Sequence, residues 1–156
     1  MPNAFTSLIQ GLSAHLGVEL EPADESTVHV SFDGLPLLLE HLPDAEQILL
    51  AAPIAPAPPQ GSEAICRELL KGQYLFAETM GATLALDAEE NFVCLQIAPS
   101  LRVLTPENFP ILVENFLNVA EAWRERLKTG QTVEAPREEA ADPEKASVFM
   151  AGFRRA

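Results

Sequence analysis

Val28-His29-Val30-Ser31-Phe32, then Asp33-Gly34, then Leu35 to Leu42, then Pro43-Asp44, then Gln47 to Ala52: three strand-like runs are separated by turn residues. In the first run Val28, Val30 and Phe32 alternate with His29 and Ser31, the period-two pattern of a half-buried strand. Asp33-Gly34 supplies hairpin turn chemistry. The second and third runs are more continuously apolar, so either both of their faces are covered or one is an open apolar patch.

Upstream, Phe5, Leu8, Ile9, Leu12 and Leu16 recur at three- and four-residue spacing, with Asn3 placed as an N-cap and Gly17 where a left-handed C-terminal residue belongs. Gly11 inside this helix costs about 1 kcal/mol relative to Ala, so a close neighbour or tertiary packing must compensate. Downstream, Pro53 to Gly61 holds four prolines in nine residues and reads as a stiff connector that cannot continue a sheet ladder. Ser62 then caps a helix carrying Ile65, Leu69, Leu70 and Tyr74 up to about Phe76. Ala82 to Leu86 and Phe92 to Ile97 form a hairpin around the polar turn Asp87 to Asn91. A last helix from about Pro106 to Lys128 bears a wide apolar stripe from Phe109 to Leu127, with an irregular first turn expected at Pro110. The order α-β-β-β-α-β-β-α describes an α+β domain over 1–130 with a twisted, mainly antiparallel sheet.

The chain has 156 residues, 47% of them apolar, and a formal charge of −13 from 10 basic and 23 acidic side chains. That is one ordinary domain, large enough for a core without disulfides or metal. Two cysteines and no signal-like start predict a soluble, cytoplasmic protein. Nucleic acids are excluded as partners, because they draw affinity from clustered Lys and Arg, and the same argument weighs against an anionic membrane surface. Residues 1–130 carry six basic and 18 acidic side chains, so the acidity belongs to the folded body.

No arrangement of catalytic residues stands out. His15, His29 and His41 form no metal-ligand spacing, and no metal or cofactor is expected. Gly11-Leu12-Ser13-Ala14-His15 resembles a nucleophile elbow but lies within a helix with no strand before it. Gly72 and Gly81 with Lys71 make no phosphate loop. Glu89-Glu90 and Glu138-Glu139 read as solvated charge, and Cys66 and Cys94 as small buried hydrophobes. An enzyme is not expected. The middle helix spreads Leu69, Leu70, Tyr74, Leu75 and Phe76 over more than one face, and a twofold partner is the commonest cover for such a surface.

With these elements in place, the sequence resembles the class I type III secretion chaperones, the Tir-chaperone or CesT-like group. The resemblance rests on Leu16-Gly17-Val18-Glu19-Leu20, Val30-Ser31-Phe32-Asp33-Gly34, Ile48-Leu49-Leu50-Ala51-Ala52-Pro53, Gly81 to Asp87, and Phe116 to Leu127 with Ala120-Glu121-Ala122-Trp123 at its centre. It implies a cytoplasmic bacterial homodimer without ATPase activity of its own. It also implies a partner effector whose N-terminal segment is held in extended form, with the secretion ATPase as a further partner. Carried over by position, it puts the dimer contact on Ile65, Leu69, Leu70 and Tyr74, and effector binding on Phe5, Leu8, Leu12, Val30, Phe32 and Leu38. The alternative is a regulatory chaperone of the same fold that sequesters an anti-activator and couples secretion to transcription.

The chain departs from that pattern at 131–156, where a polar, proline-containing stretch to Pro143 reads as a flexible linker. Glu144 to Ala156 follows as a short helical tail with Val148, Phe149, Met150 and Phe153. That tail docks on its own body or a dimer mate, binds another secretion component, or blocks the groove until an effector arrives.

Overall fold

The computed structural model describes residues 3–57 and 62–129; the linker and tail expected over 131–156 lie outside them. Helix α1 (Ala4–Leu16) begins where the Asn3 side chain accepts the Thr6 N–H at 2.7 Å, and ends at Gly17, whose φ of 67° lets its N–H reach the Ser13 carbonyl. Strands β1 (Thr27–Phe32), β2 (Leu35–Leu42) and β3 (Gln47–Pro56) follow. Asp33 and Gly34, both at positive φ, make the two-residue hairpin that pairs Phe32 with Leu35. Helix α2 (Ser62–Gln73), strands β4 (Thr83–Asp87) and β5 (Phe92–Ile97), and helix α3 (Phe109–Lys128) complete the expected order.

The strands form one antiparallel sheet in the order β1-β2-β3-β5-β4. One face is the core. Val28, Leu37, Leu39, Ile48, Leu50, Val93 and Leu95 are sealed there beneath Leu8 and Leu12 of α1 and Phe109, Val113 and Ala120 of α3. Each fully buried aliphatic or aromatic side chain contributes about 1.5–3 kcal/mol relative to exposure, so this layer dominates stability.

Two expectations need correction. The sheet ladder does not stop before Pro53: β3 continues to Pro56, with Pro53 opposite Cys94 and a register shift before Ala55. The ladder to β2 has already ended at Leu38 opposite Ala51, so this part of β3 is flanked on one side only, where a strand tolerates proline. Ser62 is the first residue of α2 rather than the residue before it. The irregular start of α3 is present. Residues 106–108 form a turn in which the Asn108 side chain accepts the Thr105 N–H at 2.8 Å and the Thr105 hydroxyl accepts the Asn108 N–H at 3.2 Å. Pro110 then sits in the first turn, where no N–H is needed.

The neighbour required at Gly11 is Pro106. A Cβ on Gly11 would lie 2.7 Å from the Pro106 Cβ and 2.8 Å from its carbonyl oxygen. The side chain of Gln73 joins α2 to β4, donating to the Ala82 carbonyl at 3.2 Å and accepting from the Leu84 N–H at 2.7 Å. For Gly11→Ala, overpacking of about 1–3 kcal/mol outweighs a helix-propensity gain of about 1 kcal/mol. The urea midpoint should fall; a rise, as at an open helix position, would show that α1 and the 105–108 turn are not in this contact.

Candidate functional site: apolar surfaces on an acidic body

The sheet face opposite the core carries Leu38 on β2, Leu49, Ala51, Pro53 and Ala55 on β3, and Phe92 and Cys94 on β5. None of these side chains is buried, and the buried residues of all three strands point the other way. This is the second of the two outcomes allowed by continuously apolar strands: one face remains open. Where β2 and β3 part beyond Leu38 and Ala51, a cavity of about 600 Å³ lies against Leu38, Pro53, Ile54, Phe92 and Cys94. Burial, with the Asp87 charge, pushes the Cys94 thiol up from its ordinary pKa and keeps it protonated.

A second apolar surface lies between α1 and α3. Leu12, Leu16, Phe32, Leu35, Val113 and Leu117 line a groove of about 510 Å³ that also includes Asp33, Glu114 and Glu121. Arg124 pairs with Glu121 at 2.6 Å and donates to the Asp33 carbonyl at 3.4 Å, tying the second half of α3 to the β1–β2 turn. Two further cavities flank this layer. One, of about 580 Å³, adjoins Phe5, Ile9 and Leu20 with Glu19, Asp24 and Glu25. The other, of about 400 Å³, adjoins Met80, Ile111 and Phe116, and includes the Thr79 hydroxyl, which is buried without a partner among the described residues.

The third surface depends on how α2 is fixed. A Cβ on Gly72 would fall 2.2 Å from the Trp123 ring, so the two helices touch there through glycine alone. The indole N–H donates to the Glu78 carbonyl at 3.0 Å, and the Arg126 guanidinium lies 4.5 Å from the ring centroid. Arg126 also pairs with Glu68 at 2.9 Å and with Glu78, while Lys71 reaches Glu68 at 3.1 Å. Hydrogen bonds from Lys71 and Arg126 hold the Glu68 carboxyl below its ordinary pKa. This clamp turns Leu69 inward at 9% exposure and leaves Leu70 and Tyr74 at 72%. Immediately after α2, Leu75 and Phe76 take left-handed φ of 53° and 56°, a strained conformation for bulky residues, and both remain exposed.

The ten residues singled out from the resemblance are not gathered on two surfaces. Phe5, Leu8 and Leu12 lie in the core, although Phe5 and Leu12 reach the floors of grooves beside α1. Val30 and Phe32 are half-buried on the helix-covered side, and Phe32 reaches the α1–α3 groove. Leu38 is on the open side. Of the four assigned to a dimer contact, Leu70 and Tyr74 are exposed, Ile65 is half-buried and Leu69 is core. Pro53 and Phe92 also lie on the open face; the proline signal, which reads as the end of the ladder, conceals Pro53, and strand periodicity alone does not say which face Phe92 takes. Cys66 is exposed, not buried. Ser13 accepts the Leu20 N–H at 3.2 Å, a structural use of the hydroxyl.

Among the described residues no group of three His, Cys, Asp or Glu side chains could hold a metal ion, and no helix is long and apolar enough to cross a membrane. What the fold presents is apolar surface on an acidic body, the equipment of a protein-binding module. The chain belongs to the Tir chaperone protein (CesT) family, the class I type III secretion chaperones, whose family model matches residues 7–124. The structure is similar to that in the ExsC–ExsE complex, at 23% identity and TM-score 0.64 over 76% of this chain and 89% of the other. It is similar to a chain of the HopA1–SchA chaperone–effector complex, at 20% identity and TM-score 0.64 over 78% and 94%. It also resembles one in the structure of the Yersinia pestis type III secretion chaperone SycH with a fragment of YscM2, at 13% identity and TM-score 0.60 over 76% and 98%. No curated protein sequence matches.

Because the folded-state pKa of Glu68 is depressed, its stabilisation is present above the ordinary carboxylate pKa and is lost as pH falls through the lowered value. Glu68→Gln should therefore lower the melting temperature at pH 7, with the deficit shrinking as pH falls below about 4, near the reference Glu pKa. A deficit independent of pH would show that the charge of Glu68 does not hold α2 against α3.

Proposed function

We propose that this protein is a non-enzymatic, cytoplasmic chaperone that binds the N-terminal segment of a secreted effector in extended form and keeps it soluble for type III secretion. The observation that carries this reading is a pair of apolar surfaces, the open sheet face and the α1–α3 groove, on a body of strong net negative charge. An extended segment can lay alternate side chains into such pockets, and ordering it costs roughly 2–5 kcal/mol, which leaves binding tight yet reversible. The acidic surroundings favour a basic segment and speed encounter. The HopA1–SchA structure, a chaperone with an effector on a similar fold, supports the same role.

We further propose a homodimer through the outward side of α2 and the turn after it. Leu70, Tyr74, Leu75, Phe76 and Met80 expose a run of large apolar side chains at that place, and water is a poor solvent for such a patch. The secretion ATPase is the partner to which a loaded chaperone would deliver its cargo. The regulatory alternative shares the fold and differs in cargo: deletion would change secretion-gene expression while every effector stayed stable.

Co-expression with the first hundred or so residues of a secreted protein encoded beside this chain should give a soluble complex. Leu38→Asp, on the open face, should weaken that complex by at least about tenfold without unfolding the chaperone, since a tenfold loss is about 1.4 kcal/mol and one buried side chain contributes about 1.5–3 kcal/mol. Unchanged affinity would move the cargo off this face. Leu70→Asp should give a folded monomer in sedimentation, whereas Leu69→Asp should destabilise the fold itself; a persistent Leu70→Asp dimer would place the interface elsewhere.

A further inference from the structure

The charge along the chain reverses at its end. Residues 145–156 carry Lys145, Arg154 and Arg155 and no acidic side chain, whereas residues 1–130 carry 18 acidic against six basic. All six basic residues of the body already pair with its own carboxylates: Arg67 with Glu63, Lys71 and Arg126 with Glu68, Arg102 with Glu46, Arg124 with Glu121, and Lys128 with Glu125. The excess negative charge is thus left over after internal pairing. The same twelve terminal residues contain Val148, Phe149, Met150 and Phe153, with the two phenylalanines four apart and an arginine pair directly after the second.

We infer that this terminal segment is the resident occupant of the α1–α3 groove of its own chain. The groove offers what the segment calls for: an apolar floor from Leu16, Phe32 and Leu117, and the carboxylates of Asp33 and Glu114, which have no internal ion pair among the described residues, beside the Arg124-paired Glu121. Phe149 and Phe153 enter the apolar part while Arg154 and Arg155 meet the carboxylates. The other cavities match less well. That at Met80 and Ile111 includes no acidic residue, and that on the open sheet face sets the cation Arg124 beside its carboxylates, Asp87 and Glu90. The acidic cavity beside Phe5 runs along α1 from Asn3 to Ser13 and includes no residue of α3, the helix from which the tail continues.

Distance permits the return. Leu117 lies eleven residues before Lys128, about 17 Å back along α3 at 1.5 Å per residue. From Thr129 to Val148 the chain can span up to about 60 Å at roughly 3.3 Å per residue. Tethering of this kind supplies an effective concentration on the order of millimolar, enough to fill a groove whose free affinity is weak. On the proposed chaperone reading an incoming effector must displace the tail, but self-occupancy needs no effector and is measured without one.

A labelled peptide of residues 144–156 is titrated against the full wild-type chain and against the full chain carrying Phe149→Asp and Phe153→Asp, with fluorescence anisotropy as the readout. The variant, its own tail disengaged, should bind the peptide at least about tenfold more tightly than wild type, whose tethered tail competes. Adding Leu117→Asp should abolish that binding, and adding Glu114→Lys should weaken it at low salt but not at high salt. Equal affinity for wild type and variant, no binding to the variant, or indifference to both groove substitutions would overturn the inference. Competition that grows with protein concentration would put the tail on a second copy and overturn the intramolecular assignment. Failure here would leave co-purification of an effector untouched, so the two readings are separable.

Discussion

Strands β2, β3 and β5 carry apolar side chains on both faces of the sheet, while the core helices pack on one. That asymmetry sets every other property of the domain. On the covered side Val28, Leu39, Ile48, Leu50 and Leu95 lie at zero exposure, and burial of that order is ample for a chain of this size. On the other side Leu38, Ala51 and Pro53 are only half-buried and Phe92 is exposed, so the fold leaves part of their apolar surface in water. Apolar surface that does not contribute to folding is free to contribute to binding, and its desolvation is then gained only when a partner arrives.

Charge completes the division. Internal pairs neutralise the cations of the body and leave its carboxylates in excess, which keeps open apolar surfaces from associating indiscriminately through mutual repulsion. The same field attracts basic groups and repels acidic ones. Solubility and selectivity therefore come from one distribution of charge, while affinity comes from the grooves between the charges.

The fold was legible wherever a local signal matched the tertiary outcome. Asn3, Gly17 and Asp33-Gly34 each encode a backbone conformation that the structure uses, and Gly11 announced a contact whose partner, Pro106, lies almost a hundred residues away. Pro53 misled because a proline's cost in a sheet depends on whether its flank is laddered, and that is a property of strand order. The site was harder to read. Helical spacing identifies Leu8, Leu12, Leu69 and Leu70 as apolar but cannot say which side of a helix faces a core. Leu69 and Leu70 are adjacent and chemically identical, yet the contact between Gly72 and Trp123 sends one inward and the other to solvent.

Gln73 has a role larger than a link between α2 and β4. Its amide offers the free edge of β4 one donor and one acceptor, satisfying Ala82 and Leu84 as a neighbouring strand would. An exposed edge is the usual template for runaway strand addition, and β4 is guarded by a side chain acting as a decoy for the missing strand. The β1 edge beyond its single bridge to Pro22 has no such clasp among the described residues. The sheet is thus polarised: growth by a sixth strand is discouraged at one end and left open at the other, so an extended guest is given a direction of approach before any side chain is read.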